Sequence, residues 1–97
     1  MSEKIAALVR FAFAPDAAAE EIIENTLATT RTFAGLERVD ILHGQDDPAA
    51  WTLYEVWSSA EEEQAYRTFR TTPEGADPAL SSALTAPPTL ERFTLRA

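Results

Sequence analysis

Few side chains in this sequence have chemistry to offer, and three of them fall close together in YEVWSSAEEEQAY, residues 54–66: Glu55, Trp57 and Tyr66. Alternation along the strand-like part puts Glu55 between Leu53 and Trp57 on an apolar face, where a carboxylate has to be paired, hydrogen-bonded or wet. Two readings follow for it: it lines a cavity as a proton acceptor, or it forms a structural ion pair with an arginine, Arg10 and Arg92 being the candidates. Trp57 either touches a ligand or fills the space under a helix, where its loss would cost roughly 3–5 kcal/mol. Tyr66 is a ligand contact or a core residue with its hydroxyl at a cavity or subunit edge. His43, the sole imidazole, ordinarily titrates near about pH 6.5, which suits a general base, but beside the turn GQDDP it also reads as a solvated strand-end histidine. Glu61, Glu62 and Glu63 read as the charge cluster of a helix N-terminus and not as a metal site, because successive helical residues point in different directions.

Composition limits what these residues can belong to. Ninety-seven residues, 45% hydrophobic and 25% charged, suit one small globular domain spanning 1–97. There is no cysteine and one histidine, so neither a thiolate nucleophile, a disulfide framework nor a Cys- or His-rich metal site is available within the chain. Eight Lys and Arg against sixteen Asp and Glu give a net charge of -8, which repels nucleic acid and anionic membrane surfaces. No N-terminal apolar run is preceded by basic residues, as a signal peptide would be, and no stretch approaches the roughly 20 apolar residues of a membrane span, so the expected location is the cytoplasm.

The elements that would position the candidates alternate regularly. KIAALVRFAF (4–13) reads as a strand ended by Pro15, followed by a helix over 15–33 with Gly35 at its C-terminal cap. Strands over 36–43 and 51–58, joined by the turn GQDDP, make a hairpin. Ser58 or Ser59 caps a second helix, on which Ala65, Tyr66 and Phe69 share a side and Arg67 and Arg70 lie near the C-terminal end. A loop over 72–78, a short helix over 79–85 and a last strand over 89–96 complete the chain. The order βαββαβ with a four-stranded antiparallel sheet is the ferredoxin-like α+β arrangement.

Both faces of that sheet want burial. The first strand carries Ile5, Val9, Phe11 and Phe13 on one face and Ala6, Leu8 and Ala12 on the other, and the third strand has Tyr54 and Val56 behind Leu53 and Trp57. The helices form one layer only, so a second copy of the chain is the expected cover, giving a homodimer packed sheet to sheet.

The same residues carry a likeness. Thr30, Arg31 and Gly35 at the helix exit, Asp46, Asp47 and Pro48 in the turn, Glu55, Trp57 and Ser59 at the strand end, and PPTLERF near the C-terminus resemble the antibiotic biosynthesis monooxygenase family of the dimeric α+β barrel superfamily. The resemblance runs over nearly the whole chain. It implies a dimer whose two sheets form a barrel, and oxidation of a phenol, quinol or polyketide-like aromatic molecule by dioxygen without a cofactor. Tyr66 stands where the family pattern commonly has a histidine, so a proton-shuttling imidazole is missing there.

Such a reaction needs an electron-rich ionised substrate, apolar aromatic walls and a base or oxyanion partner. Trp57, Phe69 and Tyr66, with Trp51 and Phe93, are the candidate walls; His43, Glu55, Tyr66 and Arg10 are the candidates for ionisation. The alternative is a dimeric barrel of the same fold that binds a small molecule without turning it over, or serves a stress response.

Overall fold

The computed structural model describes residues 3–96 and orders them as β1 (Ile5–Ala12), α1 (Ala19–Thr30), β2 (Leu36–His43), β3 (Ala50–Trp57), α2 (Ala60–Arg70), α3 (Pro78–Ala83) and β4 (Thr89–Thr94). The strands form one antiparallel sheet in the order β2-β3-β1-β4, so the ferredoxin-like topology expected from the sequence is the one observed. The chain crosses from β1 to β2 over β3 through α1, and from β3 to β4 over β1 through α2 and α3.

Register decides which residues meet the helices. The pairs Ile5–Trp57, Ala7–Glu55, Val9–Leu53 and Phe11–Trp51 put the odd-numbered residues of both central strands on one face. That face buries two apolar groups. Val9, Phe11, Phe13 and Leu53 pack with Ile23 and Leu27 of α1, and Ala7 and Trp57 pack with Tyr66 of α2. Among the described residues the opposite face, that of the even-numbered residues of β1 and β3, carries no helix; Leu42, Phe93 and Leu95 lie on it at 48%, 43% and 39% exposure.

Three details of the helices differ from the pattern-based expectation. The first helix begins at Ala19, not Pro15: Ala17 donates to the Ala14 carbonyl in a turn, and Ala18, at the N-cap, has no side chain to offer the free amides. It ends at Thr30, and Gly35 is not its cap. Gly35 has φ 92°, takes the Ser58 amide on its carbonyl at 2.8 Å, and would bring a Cβ to 2.5 Å from Glu62 Cδ, so it seats the α1–β2 turn against the start of α2. On α2, Ser59 accepts from the Glu62 amide as an N-cap should, but Ala65 is exposed and Glu63 takes the buried position beside Tyr66. No helix among the described residues is long and apolar enough to cross a membrane.

Candidate active site

Between the sheet and the helices lies a cavity of about 210 Å³. Val9, Phe11, Leu53 and Glu55 form its sheet wall, and Tyr66, Arg67 and Arg70 reach it from α2. Asp77 and Leu80, at the start of α3, close the far side.

Glu55 and Arg67, which line this cavity, belong to a network of four charged residues. Arg67 donates from Nη2 to Glu55 Oε1 at 2.6 Å and from Nε to Glu63 Oε2 at 2.6 Å. Glu63 takes a second guanidinium, that of Arg92 on β4, at 2.8 Å on Oε1. Glu55 and Glu63 are 1% and 2% exposed, so each carboxylate is removed from water and held by arginine. Burial by itself disfavours the Arg67 cation, yet the charge of Glu55 and the hydrogen bond and charge of Glu63 outweigh it and hold the guanidinium above its ordinary range. Arg67 is therefore a permanent cation at the cavity wall.

Glu55 is fastened on one oxygen only. Trp57 donates its Nε1–H to Oε1 at 2.9 Å, the same atom that receives Arg67, and among the described residues Oε2 accepts no hydrogen bond. No side-chain oxygen of the described residues is sealed away without a partner, and Glu55 is part of the cavity lining.

Arg70 also lines the cavity. Its guanidinium donates to the Tyr66 hydroxyl at 2.8 Å, to the Gly75 carbonyl at 3.2 Å and to the Thr26 carbonyl at 3.0 Å, tying α2 to the following loop and to α1. Thr30 Oγ1 donates to the Thr26 carbonyl, so in its 2.6 Å contact with Tyr66 the phenol must be the donor. Both hydrogen-bonding roles of the Tyr66 hydroxyl are thus taken. Asp77 fixes α3 in the same way: Oδ1 caps the Leu80 amide and Oδ2 accepts from Thr26 at 2.5 Å.

Of the eight residues singled out from the sequence, Glu55 and Tyr66 line the cavity. Trp57 stands one layer behind, fully buried, stacked on Tyr66 at 5.3 Å and orienting Glu55 through its indole N–H. Phe69 packs on Phe33 at 5.0 Å, away from the cavity lining. His43 and Trp51 stack on each other at 3.8 Å where β2 and β3 meet the turn, with His43 Nε2 2.8 Å from the Pro48 carbonyl, and neither lines the cavity. Arg10 and Phe93 are on the wrong side of the sheet. Arg10 pairs with Thr52 in register and with Glu91 by charge at 3.1 Å, and Phe93 pairs with Ala6, all on the face opposite Glu55. The partner of Glu55 is accordingly neither Arg10 nor Arg92 but Arg67, and Arg92 goes to Glu63. Among the described residues no group of three or more acidic or imidazole side chains is placed to hold a metal ion.

By position Arg67 and Arg70 are helix C-terminal charges, and the signal in the sequence for part of this network is the Glu63–Arg67 spacing of four residues. Asp77 had a signal too, standing directly before Pro78 where a helix cap belongs.

A four-stranded antiparallel sheet with its helices on one face, a small cavity between them and a buried carboxylate–guanidinium pair at the cavity wall make up an α+β fold of the ferredoxin-like type. The chain belongs to the antibiotic biosynthesis monooxygenase family, whose model matches residues 5–77 of the 97. No curated protein matches its sequence. Solved structures share the fold at low identity. SnoaB from Streptomyces nogalater, a cofactor-independent oxygenase, superposes with a TM-score of 0.79 at 21% identity over 99% of this chain and 96% of its own. Rv0793 from Mycobacterium tuberculosis gives 0.78 at 19%, over 97% and 96%. A protein of Nitrosomonas europaea gives 0.81 at 18%, over 97% and 91%.

Proposed function

We propose that this chain is a cofactor-independent monooxygenase that oxidises a small phenolic or quinol-like aromatic molecule with dioxygen. The observation that carries the reading is the Glu55–Arg67 pair at the wall of a cavity whose sheet side is lined by Val9, Phe11 and Leu53, in a chain of this family. Val9, Phe11, Leu53 and the Tyr66 ring offer apolar contact to an aromatic ring. The free Oε2 of Glu55 accepts the phenolic proton, and Arg67 stays beside the oxygen as its negative charge develops. The electron-rich phenolate passes one electron to dioxygen. Superoxide and the phenoxyl radical join at a ring carbon that bears hydrogen, and loss of water from the resulting hydroperoxide leaves the quinone. Phenol and dioxygen in, quinone and water out, balances without another reductant.

The working form on this reading is a cytoplasmic homodimer of single-domain chains. Ala6 and Val56 are buried on the helix-free face with Leu8 and Tyr54 half-buried around them, and Leu42, Phe93 and Leu95 leave an apolar margin that a second sheet would cover. Sedimentation at micromolar concentration tests this; a monomer would count against it.

A second reading has one observation in its favour. Tyr66 stands in place of an imidazole and its hydroxyl is already engaged at both ends, so it has no free proton to give or take, which suits a barrel that binds without turnover. Oxygen uptake by purified, metal-free protein with phenols and hydroquinones separates the two. Uptake above the spontaneous rate supports the monooxygenase; ring binding without uptake supports the binding protein.

A further inference from the structure

We infer that the cavity takes its aromatic ligand as an anion, a carboxylate of the ligand meeting the guanidinium of Arg70. The inference deepens the proposed function by naming a substituent of the substrate, and it rests on that reading for the cavity alone. Charge pairing singles Arg70 out. The chain has eight Lys and Arg, and among the described residues seven of them stand in ion pairs with Asp or Glu. Arg70 is the exception. It is half-buried, and among the described residues no carboxylate comes within 4.0 Å of its nitrogens.

Its surroundings hold the charge in place without cancelling it. Nε donates to the Tyr66 hydroxyl at 2.8 Å and Nη1 to the Gly75 carbonyl at 3.2 Å. Nη2 donates to the Thr26 carbonyl at 3.0 Å and to Thr30 Oγ1 at 3.2 Å. All four acceptors are neutral. Three of them belong to Tyr66, Gly75 and Thr26, which line the cavity together with Arg70, so the guanidinium is set among residues of the wall. A guanidinium stays charged in a protein, and one partly removed from water without a counter-ion is where an incoming anion recovers the most.

The other charges of the lining are already matched or turned to structure. Arg67 and Arg92 set two positive charges against Glu55 and Glu63. Asp77 is the remaining carboxylate of the lining; its Oδ1 accepts from the Leu80 amide and its Oδ2 from the Thr26 hydroxyl. It opposes an anion from a distance, whereas a ligand carboxylate in contact with Arg70 gains a charge-assisted hydrogen bond, about twice as strong as a neutral one. Val9, Phe11 and Leu53 give the ring of the ligand its apolar contact. Of small anions, an aromatic carboxylate uses both parts of this wall.

The test is isothermal titration calorimetry of the full chain with benzoate and with 2-naphthoate, each against its neutral amide. Acid and amide share ring and shape and differ in charge, and the two ring sizes allow for a cavity open to solvent. At least one carboxylate is expected to bind tighter than its amide by on the order of 10- to 100-fold, the worth of a hydrogen bond to a charged group. Arg70→Gln should erase that preference; the comparison on the parent chain needs no variant and decides the matter if that one fails to fold. Equal binding of acid and amide for both rings, a preference that survives Arg70→Gln, or no binding of either acid would overturn the inference. The two readings fail separately: a carboxylate preference without oxygen uptake on any phenol removes the monooxygenase alone, and uptake on a neutral phenol without a carboxylate preference removes the anion site alone.

Discussion

Arg67 and Glu55 touch at 2.6 Å although one lies on α2 and the other on β3, and Arg67 reaches Glu63 at the same distance. One guanidinium thus bridges two carboxylates that are each almost fully buried, and Arg92 supplies the second positive charge. Removing a single member of a buried ion pair leaves an uncompensated charge and costs about 3–5 kcal/mol. Arg67→Met is expected to destabilise by that order, and at about 4–8 °C per kcal/mol for a domain of this size the loss is plain in a thermal melt. Arg67→Lys keeps the charge but loses the planar fork that serves both carboxylates, and should fall between. A melt of Arg67→Met within about 2 °C of the parent would show that the network is not stabilising.

Trp57 tests the link between packing and the site. Trp57→Phe keeps an aromatic ring on Tyr66 but removes the N–H that holds Glu55 Oε1. The lost hydrogen bond to a charged group is worth about 1.5–3 kcal/mol, with a smaller cavity term added. With Glu55 less firmly oriented, oxygen uptake on the proposed function should drop while the far-UV spectrum stays that of the parent. Unchanged uptake would separate Trp57 from the chemistry.

The folded arrangement explains which parts of this site were legible in the sequence. Strand parity was legible: Ala7, Glu55 and Trp57 do share the helix face. The same parity could have excluded Arg10, which alternates with Val9 and Phe11, and Phe93, which alternates with Arg92. Helix rotation was harder to read. Which side of α2 faces the sheet depends on how the α1–β2 turn at Gly35 seats against Glu62, a contact across the chain that no local pattern encodes. That rotation buries Glu63 instead of Ala65 and carries Arg67 to Glu55, so an acidic run that reads as a helix start also supplies a buried ligand for two arginines.

The pH dependence has a definite sign. The pKa of Arg67 is raised on folding, so its pairing stabilises at every pH below its unfolded value and would be lost only as pH rises through the still higher folded value. Both lie above the working range of the protein. Neither stability nor catalysis should therefore show a break between pH 6 and about pH 10 that Arg67→Lys shifts; such a break would mean the guanidinium is not the cation at the wall.

Tyr66 separates phenol chemistry from phenol structure. Its hydroxyl donates to Thr30 and accepts from Arg70, so Tyr66→Phe leaves Arg70 Nε and Thr30 Oγ1 each short of one partner, at a cost of about 1–3 kcal/mol. The ring, its stacking on Trp57 and its place in the cavity wall remain. The expected result is a lowered melting temperature with turnover, on the proposed function, within about tenfold of the parent, because general acid–base catalysis by a side chain contributes typically 10²–10⁴-fold. A loss of 10² or more in kcat with an unchanged melt would make Tyr66 the proton carrier and displace Glu55 from that role.

Gly75 controls the far wall. It is buried in the loop between α2 and α3, and a Cβ there would stand 2.0 Å from the Phe69 carbonyl oxygen, too close for any side-chain adjustment to relieve. Gly75→Ala must push the loop outward, and the loop carries the carbonyl that holds Arg70 and leads into Asp77, which caps α3 and binds Thr26. The effect should reach the cavity without touching Glu55 or Arg67, because both are anchored on β3 and α2. Ring binding is expected to weaken, mostly through faster release, as the wall that Asp77 and Leu80 supply moves away. Stopped-flow fluorescence on benzoate checks it: a Gly75→Ala chain that releases the ring at the parent rate would mean that the loop and α3 do not close the site.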